Sequence, residues 1–289
     1  MNILVIKMGA IGDVIRTTSI LSGLKKKYAN CSIDWVTKKE SVDALRNNNS
    51  ISKIHIINDN LKNKLKTKKY DLVINLDDDV EACELASCLN ASKIIGAYLG
   101  NGKKTYTKDS ALWFDMGLIS RFGKIKADLL KARNKKTYQV IVYNILGLDY
   151  KKQEPILILD KKNLEFGKNF AYRNKIQKRD IAVGINTGAG DRWEDKKLGI
   201  GKTAELIDKL NNKLKNKNVK IILFGGPEEK DRNQEIKKLA KTEIIDAGCD
   251  NSLMEFASLV NLCDILVTSD SLALHIGTAL SKRLLYFSM

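Results

Sequence analysis

Proline, histidine and aromatic residues are scarce in this chain: 2 Pro, 2 His and 7% Phe, Trp and Tyr among 289 residues. Together with 44% hydrophobic residues, that excludes a Pro-rich or low-complexity chain and leaves enough apolar side chains for two buried cores. Long hydrophobic runs are missing too. No apolar stretch reaches the ~18 residues needed to span a bilayer, so any membrane contact is expected at the surface. The five cysteines, Cys31, Cys83, Cys88, Cys249 and Cys263, form no CxxC pair and have no metal-ligand spacing with His55 or His275. A structural zinc is therefore not expected, and free thiols in a reducing cytoplasm are. The chain opens on an apolar strand-like run rather than a charged leader, which agrees with a cytoplasmic expectation. Acidic residues are the minority, 34 against 50 Lys and Arg, for a formal charge of +16. Such an excess attracts nucleic acid, membrane headgroups and diphosphate metabolites alike. Nucleic acid is disfavoured because no RNP motif, zinc-finger spacing or aromatic stacking platform accompanies the charge.

What is present is alternation. Short β-rich runs at Asn2–Lys7, Ser32–Val36, Lys53–Ile57, Asp71–Asn75 and Lys93–Ala97 are followed, in the second half, by Ile181–Asn186, Val219–Phe224, Glu243–Asp246, Asp264–Val267 and Arg283–Phe287. Amphipathic segments separate them, the pattern of helices packed on both faces of parallel sheets. Residues from Gly12 to about Lys27 read as one long helix, and others are expected near Thr203–Leu214, Glu228–Ala240, Leu253–Asn261 and Leu272–Leu280. The charged stretch Lys161–Asp180 has weak periodicity and marks the junction of two Rossmann-like domains, residues 1–160 and 161–289. Tandem domains of this kind imply a central cleft faced by the carboxyl ends of both sets of strands, hence a small-molecule site.

Four loops could carry chemistry. After the first strand, Met8-Gly9-Ala10-Ile11-Gly12-Asp13 allows close approach to the backbone at Gly9, Ala10 and Gly12 and places Asp13 in the first helical turn. It is not a GxGxxG fingerprint, so a nicotinamide enzyme is disfavoured. In the second half, Thr187-Gly188-Ala189-Gly190, followed by Arg192 and Lys196, has the amides, hydroxyl and cations needed to hold a diphosphate, yet lacks the Walker A order. A surface turn with incidental lysines has the same composition. Thr268-Ser269-Asp270-Ser271-Leu272 opens a helix with Asp or Ser at its N-cap, and His275 lies one turn further in, as a hydrogen-bond partner for a phosphate or a satisfied helix histidine. Gly225-Gly226-Pro227-Glu228-Glu229 adds a carboxylate suited to ribose hydroxyls or to a helix dipole. The run Asp77-Asp78-Asp79 reads as a solvated turn leading into a helix rather than a metal site.

The ordered set MGAIGDVIRTT, NTGAGDRW with Lys196 beyond it, FGGPEE and TSDSLALHIGTAL resembles the heptosyltransferase family of inverting glycosyltransferases, over both domains. The resemblance implies a GT-B fold with an acceptor-binding first domain and a second domain that binds a nucleotide-diphosphate sugar such as ADP-heptose. It implies a saccharide or lipid-linked acceptor of the lipopolysaccharide core, peripheral contact with the anionic inner membrane, and neither metal nor other cofactor. By matching position it makes Asp13 the general base, Lys196 a diphosphate contact, Glu229 a ribose contact, and Asp270, Ser271, Leu272 and His275 the donor-side helix start. Three departures stand out. Ser271-Leu272 replaces the Thr-Gly of many members, the segment Asp77–Glu84 is acidic for a phosphorylated acceptor, and the chain ends at Met289, where members usually continue, so a truncated donor domain is expected. A catalytically silent relative that binds a nucleotide sugar or a partner is the alternative.

Overall fold

In a computed structural model of the chain, the described residues are 1–189, 196–214 and 217–287. The chain divides into two compact units, Met1–Ile156 and Leu157–Met289. The first carries strands β1 (Asn2–Ile6), β2 (Ser32–Thr37), β3 (Lys53–Ile56), β4 (Leu72–Asn75), β5 (Ile94–Gly100) and β6 (Lys103–Tyr106) in one sheet ordered β3-β2-β1-β4-β5-β6. The second carries β7 (Ile181–Asn186), β8 (Val219–Phe224), β9 (Ile244–Asp246), β10 (Ile265–Thr268) and β11 (Arg283–Tyr286), ordered β11-β10-β7-β8-β9. Every pairing is parallel except β5 with β6. Each sheet thus has the doubly wound order in which the central strand, β1 or β7, borders a reversal of winding.

The strands are apolar because helices cover both faces. Alternate side chains in the first sheet enter two cores: Ile3, Val5, Ile33, Trp35 and Ile74 pack with Leu21, Leu24 and Val142, whereas Leu4, Ile6, Val36 and Val73 pack with Leu61, Leu65 and Leu85. In the second sheet Val183, Ile185, Ile221, Leu223 and Val267 meet Ile207 and Ile236. The buried cysteines fill such cores; burial pushes the Cys83 thiol up to about 11 and that of Cys263 up to about 12.

Several expectations change. The long helix breaks into Ile11–Thr17 and Ile20–Lys27. The Thr18 and Ser19 hydroxyls donate to the carbonyls of Ile15 (2.6 Å) and Arg16 (2.8 Å), competing with the helical ladder, and Thr18 Oγ1 also accepts from the Ile156 amide at 2.7 Å. Strand β6 escaped the sequence pattern because Lys-Lys-Thr-Tyr is a polar edge; Asn101 and Gly102, both with positive φ, make its hairpin turn. The stretch marked as a junction contains the helix Lys161–Arg173, capped by Asp160, and two further helices lie at Gly123–Arg133 and Tyr138–Leu146. Among the described residues no helix is long and apolar enough to cross a membrane.

One polar cluster lies within the first unit away from the central strand's end. Asp34, buried in β2, accepts from Lys68 Nζ at 2.9 Å and from the Tyr70 hydroxyl at 3.2 Å, with His55 Nε2 at 3.3 Å. Burial alone would raise its pKa, but the hydrogen bonds and charges of His55 and Lys68 outweigh that and hold it at about 2. The folded-state value is depressed, so the stabilisation is present above the ordinary carboxylate range and is lost as pH falls from about 4 towards 2, an amount of about 2 kcal/mol. Asp34→Asn is expected to be less stable at neutral pH and to lose about 2 kcal/mol less than the parent on acidification. Urea unfolding across that pH range, followed by tryptophan fluorescence, checks this; identical acid losses would refute the assignment.

Candidate functional site

In the first unit the loops after β1 and β4 flank the reversal of winding, and a buried ion pair joins them. Lys7 follows directly after β1, and its ammonium pairs with Asp77, just beyond β4, and donates to the Leu76 carbonyl at 3.3 Å. The other carboxylate oxygen of Asp77 accepts from the Met8 amide. Burial disfavours the charged Lys7, but the charges of Asp77, Tyr138 and Asp13 outweigh that and raise its pKa above the ordinary lysine value. Asp77 is therefore not solvated, as its acidic context suggested; its partner is 70 residues away in sequence. Asp79 does lead into a helix, capping Val80–Cys88 by accepting from the Ala82 amide at 3.0 Å.

Asp13 occupies the first turn of Ile11–Thr17, with Ala10 at the N-cap. Gly12 is buried inside that helix instead of belonging to the loop. Gly9 is where the backbone meets the charges: a Cβ there would lie 3.3 Å from Asp77 Oδ1, 3.7 Å from Lys7 Nζ and 3.8 Å from Asp13 Oδ2. The second carboxylate oxygen of Asp13 is held by Arg16, at 2.9 Å. Arg16 in turn lies over the Tyr138 ring at 4.0 Å and nearer the edge of contact with Trp113 at 5.7 Å, the two rings meeting edge to face. The Tyr138 hydroxyl and Thr17 Oγ1 are 2.7 Å apart. Asp13 is thus partly exposed and fixed at one oxygen, with the other directed towards Gly9.

The second unit repeats this design with neutral groups. Asn186, the last residue of β7, donates through Nδ2 to the Gly188 carbonyl (2.8 Å), Thr268 Oγ1 (3.2 Å) and Ser271 Oγ (3.3 Å). It so ties the loop after β7 to the loop after β10. Ser271 is the N-cap of the helix Leu272–Ala279, but its hydroxyl turns to Thr268 Oγ1 at 3.0 Å and makes no cap bond. First-turn amides of a helix have no intrahelical carbonyl, and here they begin at Leu272. His275 lies one turn further along, half-buried. Lys196 Nζ reaches Asp270 Oδ2 at 2.8 Å.

Beneath the first of these loops is a second buried ion pair. Lys197 Nζ stands 3.2 Å from Glu229 Oε1, while Oε2 accepts from the Gly226 amide at 2.9 Å. Gly188 packs directly on this carboxylate: a Cβ there would sit 2.8 Å from Glu229 Oε2, so a larger residue would push the Glu229 side chain aside. Thr187 is buried too, donating to the Phe224 carbonyl (3.0 Å) and contacting Asn233 Oδ1 at 2.6 Å. The segment leading into the helix Ile200–Lys213 is held at the Leu198 carbonyl by Arg232 and by Thr203 Oγ1 at 3.2 Å. Thr187, Gly188, Ala189, Lys196, Asp270 and Ser271 therefore lie in the segments that follow β7 and β10, Glu229 in the short helical turn Pro227–Glu229 after β8, and Leu272 and His275 in the helix after β10; Gly190 and Arg192 lie outside the described residues.

Sequence reasoning passed over Lys7, Arg16, Trp113, Tyr138, Asn186, Lys197 and Asn233. For Lys7 and Asn186 a signal existed: each is a polar residue closing an apolar central strand at the point where the winding reverses.

Comparison with known proteins bears on what such loops hold. The profile of glycosyltransferase family 9 (heptosyltransferase) matches residues 59–286. Lipopolysaccharide heptosyltransferase 3 of Escherichia coli (strain K12) is 30% identical over 112 residues, 34% of this chain; the match spans about a third of that relative's length, 33%. A glycosyl transferase family 9 structure from Veillonella parvula DSM 2008 superposes with a TM-score of 0.78 at 19% identity, covering 99% of this chain and 79% of its own. The Escherichia coli heptosyltransferase WaaC with ADP-2-deoxy-2-fluoro heptose gives 0.62 at 16% identity, covering 99% and 88%. At such identities the likeness is one of fold, the GT-B fold of two Rossmann-like units. The profile, in contrast, runs through both units and well over half the chain, and by it the protein belongs to glycosyltransferase family 9, the heptosyltransferases.

Proposed function

We propose that this protein is an inverting, metal-independent glycosyltransferase that moves heptose or a related sugar from a nucleotide diphosphate, ADP-heptose, to a saccharide acceptor of lipopolysaccharide-core type. The observation that carries the reading is that Asn186 ties the β7 loop to the β10 loop, that Lys196 pairs with Asp270 between the same two loops, and that Glu229 of the β8 loop lies against Gly188 and pairs with Lys197. A solved family relative has an ADP-sugar analogue bound, which supports the choice of donor.

In the proposed step the acceptor hydroxyl attacks the anomeric carbon from the face opposite the diphosphate. The bond from carbon to the diphosphate oxygen breaks, and the hydroxyl proton passes to Asp13. Arg16 fixes the orientation of that carboxylate without occupying the oxygen near Gly9. The departing diphosphate gains negative charge, which Lys196, the amides at Gly188 and Ala189 and the first turn at Leu272 and Ala273 would stabilise, Lys196 exchanging Asp270 for phosphate. Glu229 would act from beneath, holding Lys197 and the Gly226 amide under the Gly188 turn, with any ribose contact made at its remaining edge.

Two variants test the division of labour. Asp13→Asn is expected to lower transfer by about 10²–10⁴-fold with ADP affinity unchanged, because a general base acts on the transition state and not on donor binding. Turnover close to the parent's would remove Asp13 from the mechanism. Lys196→Ala is expected to weaken ADP binding by about 10- to 100-fold, the worth of a charge-assisted hydrogen bond. Calorimetric titration with ADP reads both, and parent-like affinity in that variant would place the diphosphate elsewhere.

A further inference from the structure

Between Trp113 and Tyr138, the two rings that touch Arg16, the chain makes an excursion whose outer side is unusual for a soluble protein. Leu118 is 93% exposed, Ile125 82%, Leu129 52% and Phe122 41%. Ile125 and Leu129 are one turn apart in the helix Gly123–Arg133, with Phe122 at its N-cap, so the three share a stripe. Ala127 is the buried residue on the opposite side. Four large apolar side chains grouped in one short segment form a patch that water does not favour, unlike exposed leucines scattered singly.

Cations surround the stripe. Residues 121–136 contain Arg121, Lys124, Lys126, Lys131, Arg133, Lys135 and Lys136 against a single carboxylate, Asp128. Two of them lie against the apolar patch itself, Lys126 Nζ at 4.0 Å and Arg121 Cζ at 5.0 Å from the Phe122 ring centre. An apolar stripe bordered by Lys and Arg is the composition of a helix that rests in the interface of a bilayer, its side chains entering the acyl boundary and its cations at the headgroups. A second copy of this chain would bring like charges face to face, and a nucleic acid would leave the leucines and the isoleucine unused.

We propose that this face, Leu118 to Lys136, docks on an anionic lipid surface. Both ends of the excursion are tied to the Asp13 site, since Tyr138 and Trp113 stand 4.0 and 5.7 Å from Arg16. A lipid-linked acceptor at that surface would therefore be presented next to Asp13. This last point rests on the function proposed above, whereas the docking itself is read without any sugar transfer.

The test is cosedimentation of the full chain with phosphatidylcholine vesicles and with phosphatidylcholine–phosphatidylglycerol vesicles. The parent is expected to pellet with the anionic vesicles and stay in solution with the neutral ones. I125S/L129S and K124E/K126E are each expected to bind at least about tenfold more weakly. L239S, which removes an exposed leucine of the second unit, is expected to bind like the parent. Circular dichroism of each variant confirms folding, which these exposed side chains do not govern. Failure of the parent to bind anionic vesicles, or parent-like binding by both double variants, overturns the proposal. So does a dimer in sedimentation velocity that I125S/L129S abolishes, because the patch would then belong to a second copy. Loss of transfer with vesicle binding intact would overturn the proposed function and leave the surface standing.

Discussion

A polar side chain at the end of each central strand holds the two loops that flank the reversal of winding, and the rest of each unit is arranged around that junction. In a doubly wound sheet the crossovers on either side of the central strand go to opposite faces, so the loops there diverge and leave a crevice. Nothing in the apolar core fixes the width of that crevice. Lys7 does so in the first unit by pairing with Asp77, and Asn186 in the second by bonding to Gly188, Thr268 and Ser271. The two solutions differ in kind. A buried ion pair leaves an uncompensated charge if one partner is lost, typically at a cost of about 3–5 kcal/mol, whereas a neutral amide can be rearranged at the cost of individual hydrogen bonds, about 1 kcal/mol each. On the proposed function, the charged junction would suit the unit that carries the general base, and the neutral one would suit loops that take up a diphosphate.

The second unit does use charge, but one layer lower. Lys197 and Glu229 are buried beneath the Gly188 turn, where their position is set by the Gly226 amide. Lys196, its neighbour in sequence, faces Asp270 on the more exposed side. Adjacent lysines thereby have opposite duties. One is desolvated and structural; the other stays in a more exposed ion pair of the weak kind, whose partner, on the proposed function, an anionic ligand would replace with little loss.

The fold was legible where burial is two-sided. Apolar runs such as Asn2–Ile6 and Ile181–Asn186 announce central parallel strands because both faces are covered, and the turns after them announce themselves by glycine, serine and aspartate. Legibility fails where the decisive contact is remote or the exposed side is apolar. Asp77 looked solvated since its neighbours are acidic, and only the fold reveals Lys7. At the break between the first two helices, Thr18 Oγ1 also accepts from the Ile156 amide, 138 residues away. The helix Gly123–Arg133 carries its apolar residues outward, so a pattern that seeks a buried stripe finds a charged segment with stray hydrophobics. Trp113 and Tyr138, which cover the guanidinium beside the candidate base, were hidden for the same reason, since both come from beyond the last strand of the first sheet.

Arg16 links the candidate base to the rings at the ends of the exposed excursion. It stands three residues from Asp13 on the same helix, a spacing that brings the two charges together without help from the remainder of the fold. Such a pair on an exposed helix would be worth only about 0.3–0.5 kcal/mol and would not hold a carboxylate in one orientation. What converts it into a fixed element is the far side of the guanidinium, which Tyr138 and Trp113 cover. Those rings are the two ends of the excursion that carries the exposed apolar stripe and most of the local positive charge. The candidate base and the excursion thus touch at two points, the Arg16 guanidinium against the Tyr138 and Trp113 rings and the Tyr138 hydroxyl at 2.7 Å from Thr17 Oγ1, which itself donates to the Asp13 carbonyl at 2.7 Å.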